Sequence, residues 1–235
     1  MKSFFSKFIF LFTGIVLLTS CHSDKYIKSD QIEQRIIFQL YSASYDAEKE
    51  TLSILVTFKE NNPTGTTIEL TKQSSVSFNG EKLSGGFSEK EEYAYTIKKT
   101  GKLPSNLLFQ YQNNDGKNFD NTLTINSFEL KDVNSLTINK NQGAWMPFAG
   151  KSFFDDEALS LILFQNEEQI ETLEIPIPSG KQISISPELL DHIALGTYSG
   201  QFSRTFYSSD VKSMDRGGWY ETEYISKKIK INIVE

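Results

Sequence analysis

Few residues in this sequence could do covalent, acid–base or metal chemistry. One cysteine, Cys21, and two histidines, His22 and His192, stand among 235 residues. A lone cysteine excludes an intramolecular disulfide. No G-x-S-x-G, H-E-x-x-H, P-loop or C-x-x-C spacing occurs. Serines are numerous, but no spacing singles out a Ser/His/Asp set. His192 falls on a short turn, where an imidazole is ordinarily solvated. Asp155-Asp156-Glu157, and Asp115 with Asn118 and Asp120, supply the clustered oxygens that Ca²⁺ favours. Neither group has the D-x-[DN]-x-[DN]-G spacing, so both read as solvated turns, and no metal or cofactor is implied. The remaining candidates are aromatic. Trp145-Met146-Pro147-Phe148 lies in an irregular stretch, and Trp219-Tyr220 follows a polar loop carrying Arg216. Exposed on one face, such rings make a sugar-stacking or protein-binding surface; buried, they plug a domain end. Trp145, Phe148, Trp219 and Tyr220 are therefore the candidate ligand or partner contacts, with plugging as the competing role.

Cys21 has a more definite context. Residues 1–7 carry Lys2 and Lys7, residues 8–18 are apolar apart from Thr13 and Gly14, and Leu18-Thr19-Ser20-Cys21 follows. The apolar run is too short to span a bilayer, which takes about 20 residues, and has the layout of a secretory leader. Leu18-Thr19-Ser20-Cys21 resembles the lipobox of bacterial lipoproteins. That resemblance implies cleavage before Cys21, diacylation of its thiol and a membrane-anchored mature chain. Two or more acyl chains, at about 0.8 kcal/mol per buried CH₂, anchor stably where one does not. Position +2 is His22 rather than Asp; by the sorting rule of enterobacterial lipoproteins, this implies the outer membrane, with the leaflet undetermined. Residues 22–34 are polar and read as a tether.

The mature part, a little over two hundred residues, has room for one large domain or two of about 100 residues. The net charge of −6 argues against nucleic acid and against anionic surfaces as partners.

Period-two alternation dominates from residue 35 onward. Ile36, Phe38 and Leu40 alternate with Ile37, Gln39 and Tyr41, and Leu52, Ile54, Val56 and Phe58 alternate with Ser53, Leu55 and Thr57. Asn79-Gly80 and Asn113-Asn114-Asp115-Gly116 are hairpin signals. Ile229, Ile231 and Ile233 alternate with Lys228, Lys230 and Asn232 in a final amphipathic strand. The pattern predicts an all-β protein with two antiparallel sandwiches, over 35–130 and 131–235. Ser186-Pro187-Glu188 reads as a helical turn capped by Ser186. Followed by Leu195-Gly196-Thr197-Tyr198, it resembles the E–F corner of immunoglobulin-like and fibronectin type III sandwiches. That resemblance implies that the Tyr198 hydroxyl bonds back to the upstream backbone. A looser counterpart in the first half involves Leu103-Pro104 before Phe109 and Tyr111.

A superfold carries no function of its own. The expected function is a non-enzymatic, membrane-tethered binding or envelope-assembly module, with a protein partner reached through edge strands or exposed rings. The alternatives are a surface adhesin or pilus-type subunit, resembling lipoprotein fimbrillins although the chain is short for them and offers no obvious processing arginine apart from Arg35 ahead of the first strand, and a glycan-capturing lipoprotein.

Overall fold

The computed structural model describes residues 26–88, 92–131 and 134–235. Among these residues it contains three short 3₁₀ turns, Ser29–Gln31, Gln34–Ile36 and Pro187–Leu190, and is otherwise strand and loop. The first-half strands are β1 Tyr26–Lys28, β2 Ile37–Asp46, β3 Thr51–Glu60, β4 Thr67–Glu69, β5 Ser75–Phe78, β6 Glu81–Lys82, β7 Ser84–Phe87, β8 Tyr93–Thr100, β9 Leu107–Gln112 and β10 Asn118–Leu123. Then come β11 Phe128–Leu130, β12 Ser135–Asn139, β13 Ala144–Gly150, β14 Glu157–Gln165, β15 Glu168–Ile175, β16 Gln182–Ile185, β17 Gly196–Ser208, β18 Gly218–Ile225 and β19 Ile229–Val234. The lipobox and Cys21 lie outside the described residues.

The chain is all-β and builds two sandwich units in tandem. One layer, a 12-stranded sheet ordered β1-β4-β3-β2-β18-β17-β14-β15, runs through both units, with β7 and β8 added beside β3 and β12 and β19 beside β17. A four-stranded sheet β10-β9-β5-β6 covers it in the first unit and a three-stranded sheet β11-β13-β16 in the second. The units join where β2 and β18 pair in parallel, from Gly218 opposite Gln39 to Ile225 opposite Asp46. Phe128–Leu130, close to the expected junction, pairs with β13 and so belongs to the second unit's covering sheet.

Local sequence explains the pieces. At Asn79-Gly80 both residues take positive φ, 47° and 81°, as the twist of a two-residue hairpin requires, and Phe78 pairs with Glu81 around them. Leu52, Ile54, Val56 and Phe58 face inward, as do Ile229, Ile231 and Ile233. In β2 the inward set is Ile37, Gln39, Tyr41, Ala43 and Tyr45. Gln39 is tolerated in the core because the buried Tyr41 hydroxyl donates to its Oε1 at 2.6 Å. Phe38 and Leu40 therefore face outward. Tyr198 forms the expected corner, its hydroxyl donating to the Ala194 carbonyl at 2.8 Å. Tyr111 does not repeat this in the first unit; its ring packs into the core, 4.6 Å from Phe58 and 5.7 Å from Phe119. Ser186 precedes the 3₁₀ turn, but its side chain makes no cap hydrogen bond.

The reading of residues 22–34 as a tether needs correction over its second half. β1 pairs in parallel with β4, and Ser29 is fully buried. The Ser29 hydroxyl accepts from Thr71 N at 2.9 Å and from Asn114 Nδ2 at 3.0 Å, while Gln34 Nε2 donates to the Ser29 carbonyl at 2.6 Å. The polar side chains that suggested a solvated linker are used to fasten it to the first unit.

One buried charge pair sits in the second core. Arg204 meets Glu157 through two parallel bonds, Nε to Oε1 at 2.9 Å and Nη2 to Oε2 at 2.6 Å. Its remaining donors reach the Lys151 and Ser152 carbonyls, and its guanidinium lies 4.0 Å from the centre of the Phe153 ring. Asn126 Nδ2 and the Phe154 amide complete the carboxylate at 2.9 and 2.8 Å. Glu157 is thus a core residue rather than part of an acidic surface cluster.

Burial raises the Tyr41 and Tyr95 hydroxyls above the ordinary tyrosine range, and raises those of Tyr111 and Tyr224 to about 12. A raised value means that the fold favours the neutral phenol. The associated stability is fully present below about pH 10, the unfolded value, and is lost as pH rises through the folded values. Alkaline titration followed by tyrosinate absorbance should show these four ionising only as the fold opens. Ionisation of all ten tyrosines with ordinary midpoints in the native state would contradict this.

Candidate functional site

The β2–β18 seam also creates a surface. Parallel register sets Leu40 beside Trp219, Ser42 beside Glu221 and Ser44 beside Glu223. On one flank β3 brings Thr57 next to Leu40 and Leu55 next to Ser42. On the other, β17 brings Tyr207 next to Glu221. Alternation turns these side chains to the outer face of the long sheet. They line a groove of about 240 Å³ whose apolar walls are Leu40, Leu55, Tyr207 and Trp219 and whose rim carries Glu92 and Glu221. Three of its walls are open to solvent: Tyr207 is 54% exposed, Trp219 47% and Leu55 38%. Phe38 stands edge-on to the indole at 6.4 Å and holds it in place.

The groove's polar groups are hydroxyls and carboxylates. Next to the groove along β18, Glu223 accepts from Ser44 Oγ at 2.8 Å and from Ser203 Oγ at 2.7 Å. The Tyr207 hydroxyl donates to Glu221 Oε1 at 3.3 Å. Partial burial, then the charges of Glu221, Glu223 and Glu174, push the Tyr207 hydroxyl above its usual value, so it stays a neutral donor. Glu92 is held by the buried Lys59 ammonium at 2.8 Å. An apolar floor with a few fixed polar groups is the usual composition of a small-molecule or side-chain pocket.

The four ring residues expected to make contacts are not brought together. Trp219 lines the groove. Tyr220, its neighbour in β18, faces the other way and packs 5.8 Å from Phe206. Trp145 is 66% exposed, but on the outer face of the small covering sheet of the second unit. Phe148 is a correction: only 1% exposed, it points into the core, edge-on to Phe128 at 6.0 Å and Phe153 at 5.2 Å. Strand parity explains the split, since Met146 and Phe148 share the inward side and Trp145 the outward one. His192 is exposed, its Nε2 3.3 Å from Glu171 Oε2. Asp115, Asp155 and Asp156 are exposed turn residues, and Asn118 and Asp120 are exposed on β10. Among the described residues no cluster of three or more His, Cys, Asp or Glu is placed to hold a metal ion. Leu40, Leu55, Tyr207 and Glu221 were not anticipated. The available signal was apolar residues on the polar parity of a strand, as at Phe38, Leu40 and Leu55.

No family model matches the chain, and no curated protein matches it. Solved structures similar to it include Ig tandem domains and fibronectin(III)-like modules. The titin Ig tandem domains A164–A165 share 10% identity over 84% of this chain and 95% of theirs, with a TM-score of 0.24. The Clostridium thermocellum CbhA fibronectin(III)-like modules share 11% over 84% of this chain and 92% of theirs, at 0.23. The Bacteroides ovatus mixed-linkage glucan utilization locus protein SGBP-B, solved with a mixed-linkage heptasaccharide, shares 12% over 88% of this chain and 46% of its own, also at 0.23.

Proposed function

We propose that this protein is a lipid-anchored, non-enzymatic binding module of the bacterial cell envelope, held at the outer membrane through Cys21, and that it takes a carbohydrate ligand in the outer-face groove. The observation that carries the binding reading is the groove itself: two exposed rings and two leucines walled together, with carboxylates and a neutral phenol at the rim. Rings offer flat apolar faces to the C–H faces of a sugar, and the carboxylates accept from its hydroxyls.

Retention on polysaccharide affinity gels tests the ligand. Trp219→Ala and Tyr207→Ala are each expected to weaken binding by about 10- to 100-fold, the scale of an interface hot spot. Trp145→Ala, on the other sheet, should leave it unchanged; equal loss in all three would overturn the assignment to the groove. The acidic rim of Glu92 and Glu221 favours a second reading, a basic segment of an envelope protein. A pull-down from detergent-solubilised membranes with the lipidated protein separates the two, since only the second gives a partner whose capture Glu221→Gln reduces.

The anchor has its own test. Cys21→Ser should move the protein from the membrane fraction to the soluble fraction. Unchanged fractionation would refute lipidation.

A further inference from the structure

We propose that the aromatic rim formed by Tyr26, Phe87 and Tyr93 rests on the lipid surface to which Cys21 is anchored; this depends on the anchor reading above. Phe87 is 57% exposed at the end of β7, on the far side of β8 from β3. Its ring meets Tyr26 at 5.6 Å and Tyr93 at 5.6 Å, and Tyr26 meets Tyr93 at 5.2 Å, so three rings close on one another at the edge of the first unit. Behind them Tyr93 contacts Tyr95 at 5.8 Å and Tyr95 contacts Phe58 at 5.8 Å, a ladder of rings that carries the rim into the core. Gly85 completes the support. A Cβ there would fall 2.7 Å from Tyr93 and 2.9 Å from Tyr95, so only glycine leaves room for the two rings.

Chain length selects the occupant. Tyr26 opens β1 and is fixed by its pairing with Thr67. Only five peptide steps separate it from Cys21, and an extended chain covers at most about 3.6 Å per residue. The acylated cysteine is therefore confined to within about 18 Å of the rim. With β1 lashed down through Ser29 and Gln34, there is no longer linker to let the body stand away from the bilayer. Tyrosine and phenylalanine beside an anchored terminus suit the headgroup boundary, where amphipathic rings concentrate at membrane surfaces. The serine and glycines of β7, Ser84, Gly85 and Gly86, present nothing bulky that would hold the bilayer off.

The test uses the full lipidated chain in vesicles of zwitterionic phosphatidylcholine. Its only native thiol is acylated, so a spin label attaches solely to an introduced cysteine. Ser88→Cys places the label beside the rim with all three rings intact, and Ile170→Cys places it on β15, the opposite edge of the long sheet. The label at 88 is expected to be several-fold less accessible to a water-soluble nickel relaxant than the label at 170, and to regain accessibility in the soluble Cys21→Ser form. Equal accessibility at both positions on vesicles, with Cys21-dependent vesicle binding intact, overturns the rim proposal and leaves the anchor standing. Vesicle binding that survives Cys21→Ser overturns the anchor instead. Protection at 88 that needs added envelope protein assigns the rim to a protein partner and also overturns the proposal.

Discussion

Replacing Arg204 with methionine is expected to remove about 3–5 kcal/mol of folding free energy, because Glu157 is then left charged and buried with no counter-ion. Both side chains of the pair are almost wholly inaccessible to water, at 1% and 0% exposure. Water therefore cannot replace the lost guanidinium without opening the second core. A domain of this kind has only about 5–15 kcal/mol to lose, so the single variant should sit close to its unfolding threshold. The double variant Arg204→Met with Glu157→Leu should recover part of the loss, since replacing both partners of a buried pair by apolar groups is often near neutral. Recovery should be incomplete, because the Lys151 and Ser152 carbonyls, the Phe154 amide and Asn126 Nδ2 all lose a partner. Urea unfolding of the wild type, both single variants and the double gives the coupling directly. If Arg204→Met proved as stable as the wild type, the pair would not be fully desolvated.

Truncating Phe128 to alanine is expected to cost a similar amount, about 3–5 kcal/mol, from lost burial and the cavity left behind. Phe128 is buried among Phe148, Phe153, Phe202 and Tyr224, at 5.6–6.3 Å between ring centres. Tyr224 in turn stacks on Tyr45 of the first unit at 6.1 Å. The buried apolar residues of both units form one connected cluster. The loss should therefore reach across the seam: amide exchange should accelerate in β9, which lies wholly in the first unit, as well as in β14. Faster exchange confined to the second unit would show that the two open independently.

The strands were legible in the sequence because alternation is a local signal. Ile229, Ile231 and Ile233 declare one face of β19, and Asn79-Gly80 declares a hairpin through its backbone requirement. The Tyr198 corner was legible because its donor and acceptor lie four residues apart. The seam was not. Ser44 and Glu223 meet through pairing between strands 179 residues apart, and a parallel pair leaves no turn sequence to mark it. The groove depends on that pairing, so its walls were invisible for the same reason; only Trp219 drew notice, as a conspicuous residue type. Glu157 was misleading because Asp155 and Asp156 precede it, and nothing local distinguishes a carboxylate that will meet a guanidinium from one that will meet water. Phe148 could have been placed correctly, since its parity with Met146 was on view.

The parallel seam sets a timetable for the chain. In a chain that emerges in order, β3 follows β2 almost at once, but the strand that covers its other edge comes 179 residues later. That interval is a delay in completing the sheet. Throughout it β2 presents an unprotected edge with Phe38 and Leu40 on its open side, the condition under which strands join wrong partners. The first unit cannot finish before the second has nearly emerged, so this protein should be reluctant to fold in halves and should gain from whatever keeps its early strands apart.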